Sequence, residues 1–253
     1  VISNPTNLGV GGAVLAGHRR VIELGADVSV VMAGEAQIDP DHLPRLLEPV
    51  TTGIHGFAKA NRFYSTNSFG GMPKHRVVGN IILSFLTKAA CGYWHLFDPQ
   101  NGYTAIRRDV LERLDLDRIE QGYPFENDLL VQLGVLGIPA CDVPIPARYG
   151  DEVSRLRPVK VGPQILRVLH RGFWRRILWR HLLWSFSPIA LLLLSGLVLM
   201  LLGGVVSVWV LAHTLGAAAA TSGTVFLAVG PLLLGIQFLV FGLVLDVIDS
   251  PGP

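Results

Sequence analysis

Apolar and polar positions follow two regimes along this chain. Up to about residue 160, short apolar runs are broken by glycine, proline and charge; from Leu182 to Leu245 there is no Asp, Glu, Lys or Arg. In the first regime, Asn7-Leu8-Gly9-Val10-Gly11-Gly12-Ala13 reads as a glycine-rich turn that opens a helix through Leu24, with Val14, Leu15, Val21, Ile22 and Leu24 as apolar positions. Gly25 predicts its stop, because glycine takes the left-handed cap cheaply. Val28 to Met32 reads as a short strand buried on both faces. Asp39 predicts a helix cap, with Pro40 in the first turn where proline is tolerated. Further on, Phe57–Phe63 reads as a strand, Met72–Ala90 as a helix and Gly102–Ile106 as a strand. Asp109–Leu114 and Phe125–Leu136 read as helices, and Ala140–Tyr149 as an extended, proline-punctuated segment. Strands alternating with helices predict an α/β layer fold with a largely parallel sheet.

The chain then changes character. Over Ile165–His181, Leu166, Leu169, Phe173 and Ile177 share one helical face, Arg167, Arg171 and Arg175 share another, and Trp174, Trp179 and Trp184 are interleaved or follow. A basic amphipathic helix with tryptophans suits a membrane interface; the alternative is a helix packed on the soluble core. Two uncharged runs follow, Pro188–Ala212 and Thr224–Leu245, of 25 and 22 residues. About 20 apolar residues cross the hydrocarbon layer as a helix. The short link between them predicts a hairpin with both ends on one side of the membrane. The expected divisions are therefore 1–160, a soluble domain; 161–181, an amphipathic interfacial helix; 182–248, two transmembrane helices; and 249–253, a tail.

Composition sharpens this reading. The chain of 253 residues is 50% hydrophobic and 16% charged, with a mean hydropathy of +0.46. A soluble domain carries roughly 25% charge, so the shortfall agrees with a membrane region. Arg155, Arg157, Lys160, Arg167, Arg171, Arg175, Arg176 and Arg180 come without an acidic residue among them. That bias before the first span predicts a cytoplasmic face for both ends and an outward loop near Ala218. Cys91 and Cys141 make neither a disulfide framework nor a metal spacing. The start at Val1-Ile2-Ser3-Asn4 reads as the middle of a domain, which leads us to expect a missing N-terminal part.

In open α/β sheets ligands bind beyond the carboxyl ends of strands. Glu35 and Gln37 stand there, two apart, and two oxygen ligands hold Mg²⁺ or Mn²⁺ when a substrate diphosphate supplies more. Arg62, just past a strand end, reads as a phosphate clamp. Arg148 and Arg155 flank the turn before the basic helix, where arginine's planar fork suits phosphate oxygens; attraction to anionic lipid is the alternative. Glu126 and Asp128 read either as a base or as first-turn caps. Asp98, before a proline, also fits a plain turn.

Several of these segments together resemble family 2 glycosyltransferases, in the branch of the dolichyl-phosphate mannose synthase-like and polyprenyl-phosphate glycosyltransferases. Val30 to Pro40 is similar to the segment with the pattern D-x-D-x-Q-x-x-P: Glu35 falls on the second Asp, Gln37 on the Gln and Pro40 on the Pro. Ala33 falls on the first Asp, so that carboxylate is lost. Asn7 to Ala13 resembles the N-x-G-x-x-x-A turn, and Lys59-Ala60-Asn61-Arg62-Phe63 the K-G-x-R-F segment. Asp98 to Tyr103, with Gln100, resembles the segment lining the acceptor side. Glu126-Asn127-Asp128 falls on an acidic motif. Arg148 to Arg155, with Ser154, is similar to R-x-x-G-x-S-K.

The resemblance implies a partial GT-A, Rossmann-like domain followed by the interfacial helix and the hairpin. It implies metal-assisted transfer of a sugar from a nucleotide-sugar donor to a polyprenyl (undecaprenyl or dolichyl) phosphate. Asp128 and Glu126 would be catalytic, and Arg62 and Lys59 would bind the donor phosphates. Arg148, Ser154, Arg155, Asp98 and Gln100 would bind the acceptor, and Glu35 and Gln37 would hold Mg²⁺ or Mn²⁺. The strands that would bind the nucleotide base have no counterpart here, so the fragment alone is expected to be inactive. Expected partners are the nucleotide sugar, the lipid phosphate and the plasma (inner) membrane of the cell, with a homo-oligomer open and no nucleic acid. Two rival readings stand beside this one. One is a non-catalytic membrane scaffold, favoured by Ala33. The other is a polysaccharide synthase, whose QxxRW string is approached only by Gln164-Ile165-Leu166-Arg167-Val168.

Overall fold

The structure, a computed structural model, describes residues 1, 3–34, 39–62, 74–99, 101–146, 158–215 and 220–252, of which 74–77 and 158–160 by backbone alone. It divides into two compact units, Val1–Arg176 with Ser250–Pro253, and Ile177–Asp249.

The first unit opens with α1 (Gly9–Leu24), which ends at Gly25 in the left-handed conformation, φ 67°. Strand β1 (Val28–Val31) follows. Asp39 then caps a short 3₁₀ turn (Pro40–His42) by accepting from the Asp41 amide at 3.1 Å. Next come α2 (Leu43–Thr51), β2 (Phe57–Asn61), α3 (Lys74–Cys91), β3 (Thr104–Arg107), α4 (Arg108–Arg113), α5 (Phe125–Leu136), β4 (Ala140–Pro144) and α6 (Pro158–Arg176).

The sheet order is β1-β3-β2-β4. Here the expectation of a largely parallel sheet fails. β3 runs antiparallel to both β1 and β2, pairing Ile106 with Ser29 and with Phe57, and only β2 and β4 are parallel. The alternation of strands and helices sets the layers, but not the direction in which a strand enters between two others.

One core cluster joins α3, α5 and α6 to one face of the sheet through Phe57, Ile106, Leu129, Leu133, Ile165 and Leu169. A smaller one lies under α2, around Leu46, Ala58, Tyr103 and Val143. Within the larger cluster α5 comes so close to the end of α3 that a Cβ on Gly134 would collide with the Cys91 carbonyl. Gly172 of α6 seats on Val131 in the same way, with 2.7 Å left for a Cβ. α6 therefore spends part of its apolar face, Ile165, Val168 and Leu169, on the soluble core. Val168, the residue standing for Trp in the QxxRW comparison, is buried there. The last arginine of α6, Arg176, is buried too. Its Nε donates to the Ala90 carbonyl (3.2 Å) and its Nη2 to that of Ala89 (2.8 Å).

The second unit holds π-helical turns over Ile177–Trp184 and two long helices, α7 (Pro188–Thr214) and α8 (Ser222–Ile248). Ser187 and Thr221 cap the two helices, accepting from Ile189 N (3.2 Å) and Thr224 N (3.3 Å). Each helix has 27 residues, and their most apolar windows are only 22% and 17% buried, which is the reverse of a soluble core helix. At 1.5 Å per residue such a helix is about 40 Å long, enough to span a bilayer core of roughly 30 Å. The two pack along glycines at seven-residue intervals, Gly196 and Gly203 on α7 and Gly235 and Gly242 on α8: Gly196 meets Gly235, Gly203 meets Leu232 and Gly242 meets Leu193. A Cβ on Gly196 would stand 3.0 Å from the Gly235 carbonyl, and one on Gly235 2.9 Å from that of Gly196. Small residues let backbones approach where lipid offers no hydrophobic drive between helices. At one end of this hairpin His181 lies 3.7 Å from Asp246, and Arg180 3.2 Å from Asp249.

Candidate active site

The carboxyl end of β2 gathers a cluster of charged side chains. Lys59 sits in the middle of a strand whose five residues are all buried. A buried ammonium must be paired, and this one donates to the carbonyls of Phe97 (2.6 Å) and Asp98 (2.5 Å) and lies 3.6 Å from Asp142. Asp142, on the parallel neighbour β4, in turn accepts from the Phe97 amide at 2.5 Å. Its carboxyl is pushed up by burial, against the pull of Lys59. Together these groups pin the 97–98 turn to the sheet.

The pinned turn holds Asp98 with φ 51°, a left-handed conformation that Asp tolerates better than most residues. Its buried carboxylate faces Arg62, the first residue after β2. Arg62 Nε donates to Oδ2 (2.6 Å) and Nη2 to Oδ1 (2.8 Å), a bidentate fork. The arginine side chain keeps 24% of its surface exposed. Asn101 closes the turn, its amide donating to the Asp98 carbonyl (3.1 Å) and its Oδ1 accepting from Tyr103 N (3.0 Å). The side-chain nitrogen of Asn101 and the hydroxyl of Tyr103 are buried without a partner among the described residues.

Glu126, in the first turn of α5, adds a third carboxyl to the cluster, after Asp142 and Asp98. Its Oε1 lies 3.0 Å from where a Cβ on Gly102 would stand, so a side chain there would press on the carboxyl. Burial raises its carboxyl from the ordinary 4.5 to about 7; Asp98 pushes in the same direction, while Lys59 and Arg62 oppose it. Asp128 is not part of this constellation. Two residues along a helix are about 200° apart at 3.6 residues per turn. Accordingly Asp128 accepts from the Glu120 amide (3.0 Å) and lies 3.8 Å from Arg171 of α6. Its carboxyl is pushed up by burial.

Of the residues singled out from the sequence, Lys59, Arg62, Asp98 and Glu126 converge, and Asp128 stands apart. Glu35, Gln37, Gln100, Arg148, Ser154 and Arg155 lie outside the described residues, as does Ala218. Asp142 was not anticipated. The signal for it was a single acidic residue inside the apolar strand Ala140–Pro144, opposite Lys59 in the neighbouring strand. Two charges of opposite sign on buried strands predict each other. Among the described residues no three His, Cys, Asp or Glu form a metal cluster.

The proton on Glu126 gives a direct test. Between pH 4.5 and about 7 the folded protein holds a proton that the unfolded chain has released, so stability falls as pH rises through that window. Below and above it, Glu126 contributes no slope. Glu126→Gln should remove this slope and raise stability at pH 8 by about 1–3 kcal/mol. The difference in melting temperature between the two proteins, followed from pH 4.5 to 8, measures it; a difference independent of pH would show that Glu126 titrates normally.

Parts of the chain are similar to known proteins. Residues 1–115 match "Glycosyl transferase family 2". The chain is 28% identical, over 65% of its length and 65% of the other, to UDP-N-acetylglucosamine–dolichyl-phosphate N-acetylglucosaminyltransferase of Methanococcus voltae. It is 35% identical to undecaprenyl-phosphate mannosyltransferase of Micrococcus luteus, over 57% of this chain and 59% of that one. To polyprenol monophosphomannose synthase of Mycolicibacterium smegmatis it is 30% identical, over 57% and 54%. The fold defines a mixed α/β domain with an apolar helix pair, and the matches add a likeness to glycosyltransferases. Through residues 1–115 the chain is similar to glycosyl transferase family 2, and over somewhat more of its length to these three polyprenyl- and dolichyl-phosphate glycosyltransferases. It spans 54–65% of the length of these three relatives.

Proposed function

We propose that this chain carries the acceptor side and the membrane anchor of an enzyme that transfers a sugar from a nucleotide to a polyprenyl phosphate. The observation that supports it most is the Arg62–Asp98 fork at the end of β2 with Glu126 beside it. An oxygen of the lipid phosphate attacks the anomeric carbon; a new carbon–oxygen bond forms as the bond to the nucleoside diphosphate breaks. A phosphate monoester has its second pKa near 6, so the attacking oxygen is already ionised and no strong base is needed. Arg62, oriented by Asp98, offers its partly exposed guanidinium to phosphate oxygens. Glu126, protonated up to about neutral pH, donates a hydrogen bond instead of placing another negative charge beside a diphosphate. Lys59 and Asp142 position the turn, and Asp128 positions α5 against α6.

Mg²⁺ or Mn²⁺, bound through Glu35 and Gln37, would offset charge on the leaving diphosphate. Arg148 and Arg155, with Ser154, would hold the acceptor phosphate. The eight basic residues before the first span favour a cytoplasmic catalytic unit in the plasma membrane.

The experiment is transfer of labelled sugar from nucleotide sugars into extractable lipid when undecaprenyl phosphate is supplied to the full-length membrane protein. Transfer should appear only with the lipid phosphate, and Arg62→Ala should lower it more than a hundredfold. Lipid-independent labelling of protein or polymer, or full transfer by Arg62→Ala, would overturn the reading.

A further inference from the structure

Helix α8 carries a carboxamide where the chain around it is apolar. Gln237 stands two residues past the midpoint of Ser222–Ile248, about 3 Å along the axis. It is exposed, and no hydrogen bond holds its side chain among the described residues. Hydroxyls in the same pair of helices close on their own backbone instead. Ser207 Oγ donates to the Gly203 carbonyl (2.7 Å), Thr214 Oγ1 to that of Val210 (2.8 Å) and Ser195 Oγ to that of Leu191. Gln237 also looks away from α7. Gly235, which meets Gly196 of α7, is two residues back, and two residues along a helix turn through about 200°.

When α8 spans a bilayer, this amide lies near the centre of a hydrocarbon layer about 30 Å thick, and about 15 Å from water on either side. That is beyond the reach of its side chain. Lipid tails offer it no hydrogen bond, and a polar group left without one in hydrocarbon is costly. Its own chemistry identifies the partner. A carboxamide carries a carbonyl that accepts and an NH2 that donates. Two copies related by a two-fold axis along the membrane normal exchange two N–H···O bonds, each giving what the other lacks. A second copy inserted in the same orientation brings its amide to the same depth, which a foreign helix does only by chance. The flanks fit such a pairing. Leu233, Leu234, Val240 and Phe241, three and four residues to either side, are 49–62% exposed and apolar. From Thr224 to Leu245 there is no charge, so a two-fold axis opposes no like charges. Gly230, seven residues before Gln237, leaves room for approach: a Cβ there would meet only Phe226 of its own helix, at 3.8 Å.

We propose that the outer face of α8 is an interface between two copies of this chain in the membrane, with the two Gln237 amides paired to each other at its centre. The pairing uses no residue assigned to sugar transfer. It therefore stands or falls separately from that reaction.

The test measures energy transfer between full chains carrying a donor or an acceptor dye at the C-terminus, mixed in vesicles of phosphatidylcholine with phosphatidylglycerol. Transfer should exceed that of randomly placed chains and fall with dilution into lipid as a monomer–dimer equilibrium requires. Gln237→Leu should weaken the dimer by about tenfold or more, for two lost hydrogen bonds. Leucine suits a lipid-facing position, so insertion and helix content are kept, as circular dichroism would check. Ser207→Ala, whose hydroxyl is spent on its own helix, should leave the dimer unchanged. Both native thiols are buried, so introduced cysteines report the face. Val244→Cys, seven residues past Gln237 on the same side, should cross-link two copies on oxidation, and Val205→Cys, exposed on α7, should not. Random transfer by the parent chain, or a Gln237→Leu dimer as tight as the parent's, would overturn the proposal. So would cross-linking through position 205 in place of 244, which would put any contact between copies on the other helix.

Discussion

Asp98→Asn should cost about 2–4 kcal/mol of stability and abolish measurable sugar transfer by the full-length enzyme. Asn adopts the left-handed backbone that Asp98 occupies, and the bonds from Lys59 go to main-chain carbonyls, so the turn itself survives. What is lost is the carboxylate that grips Arg62 through two donors. Removing one partner of a buried ion pair leaves the other uncompensated, at about 3–5 kcal/mol; the partial exposure of Arg62 lets water recover some of this. A second effect has a fixed sign. Asp98 helps to hold the Glu126 carboxyl high while Arg62 opposes it. Without the carboxylate, Glu126 must titrate at lower pH, and the fall of stability with pH, which starts at the unfolded chain's value, must end earlier. Denaturation profiles at several pH values read both effects. An unchanged profile would show that the fork does not couple to Glu126.

Gly134→Ala should be the most damaging single methyl in the soluble unit, costing about 3 kcal/mol or more. Its Cβ would occupy the place of the Cys91 carbonyl, where α5 meets the end of α3, and neither backbone can retreat from a buried core. At about 2–4 °C per kcal/mol for a domain of this size, the apparent Tm should drop by about 6–12 °C. Gly162→Ala, in α6, is the control. A Cβ there meets nothing within 4 Å, and alanine in a helix is favoured over glycine by about 0.8–1.0 kcal/mol. The same chemical change should thus destabilise at one glycine and stabilise at the other. Equal effects at the two sites would mean that backbone propensity, not the close approach, decides.

Much of the architecture was legible because local chemistry controls it. α5 runs from Phe125 to Leu136 as its pattern predicted, stopped by Gly137 in the left-handed conformation. Asp39 caps where expected, and two helices long and apolar enough to cross a membrane stand where the uncharged runs were read. The direction of β3 was not legible, because a short run of buried residues looks the same in either direction. The opposed positions of Glu126 and Asp128 could have been read from helical spacing alone. The Arg62–Asp98 fork could not, since 36 residues separate its partners and nothing local encodes their meeting. Lys59 read as a donor-side group, whereas its burial commits it to the 97–98 turn.

Position 98 also has a consequence for how this gene can drift. A backbone at φ 51° admits chiefly Gly, Asn and Asp. A partner for the Arg62 fork must be a carboxylate, Asp or Glu, with a reach set to within an ångström. Only one of the twenty residues passes both sieves. No single-codon path leads away from Asp98 through a functional intermediate unless Arg62 or the turn changes first. In a saturation library selected for transfer activity, position 98 should return to one residue while its neighbour Phe97, whose hydrogen bonds are made by its main chain and whose exposed ring meets only the Lys88 ammonium among the described contacts, admits several.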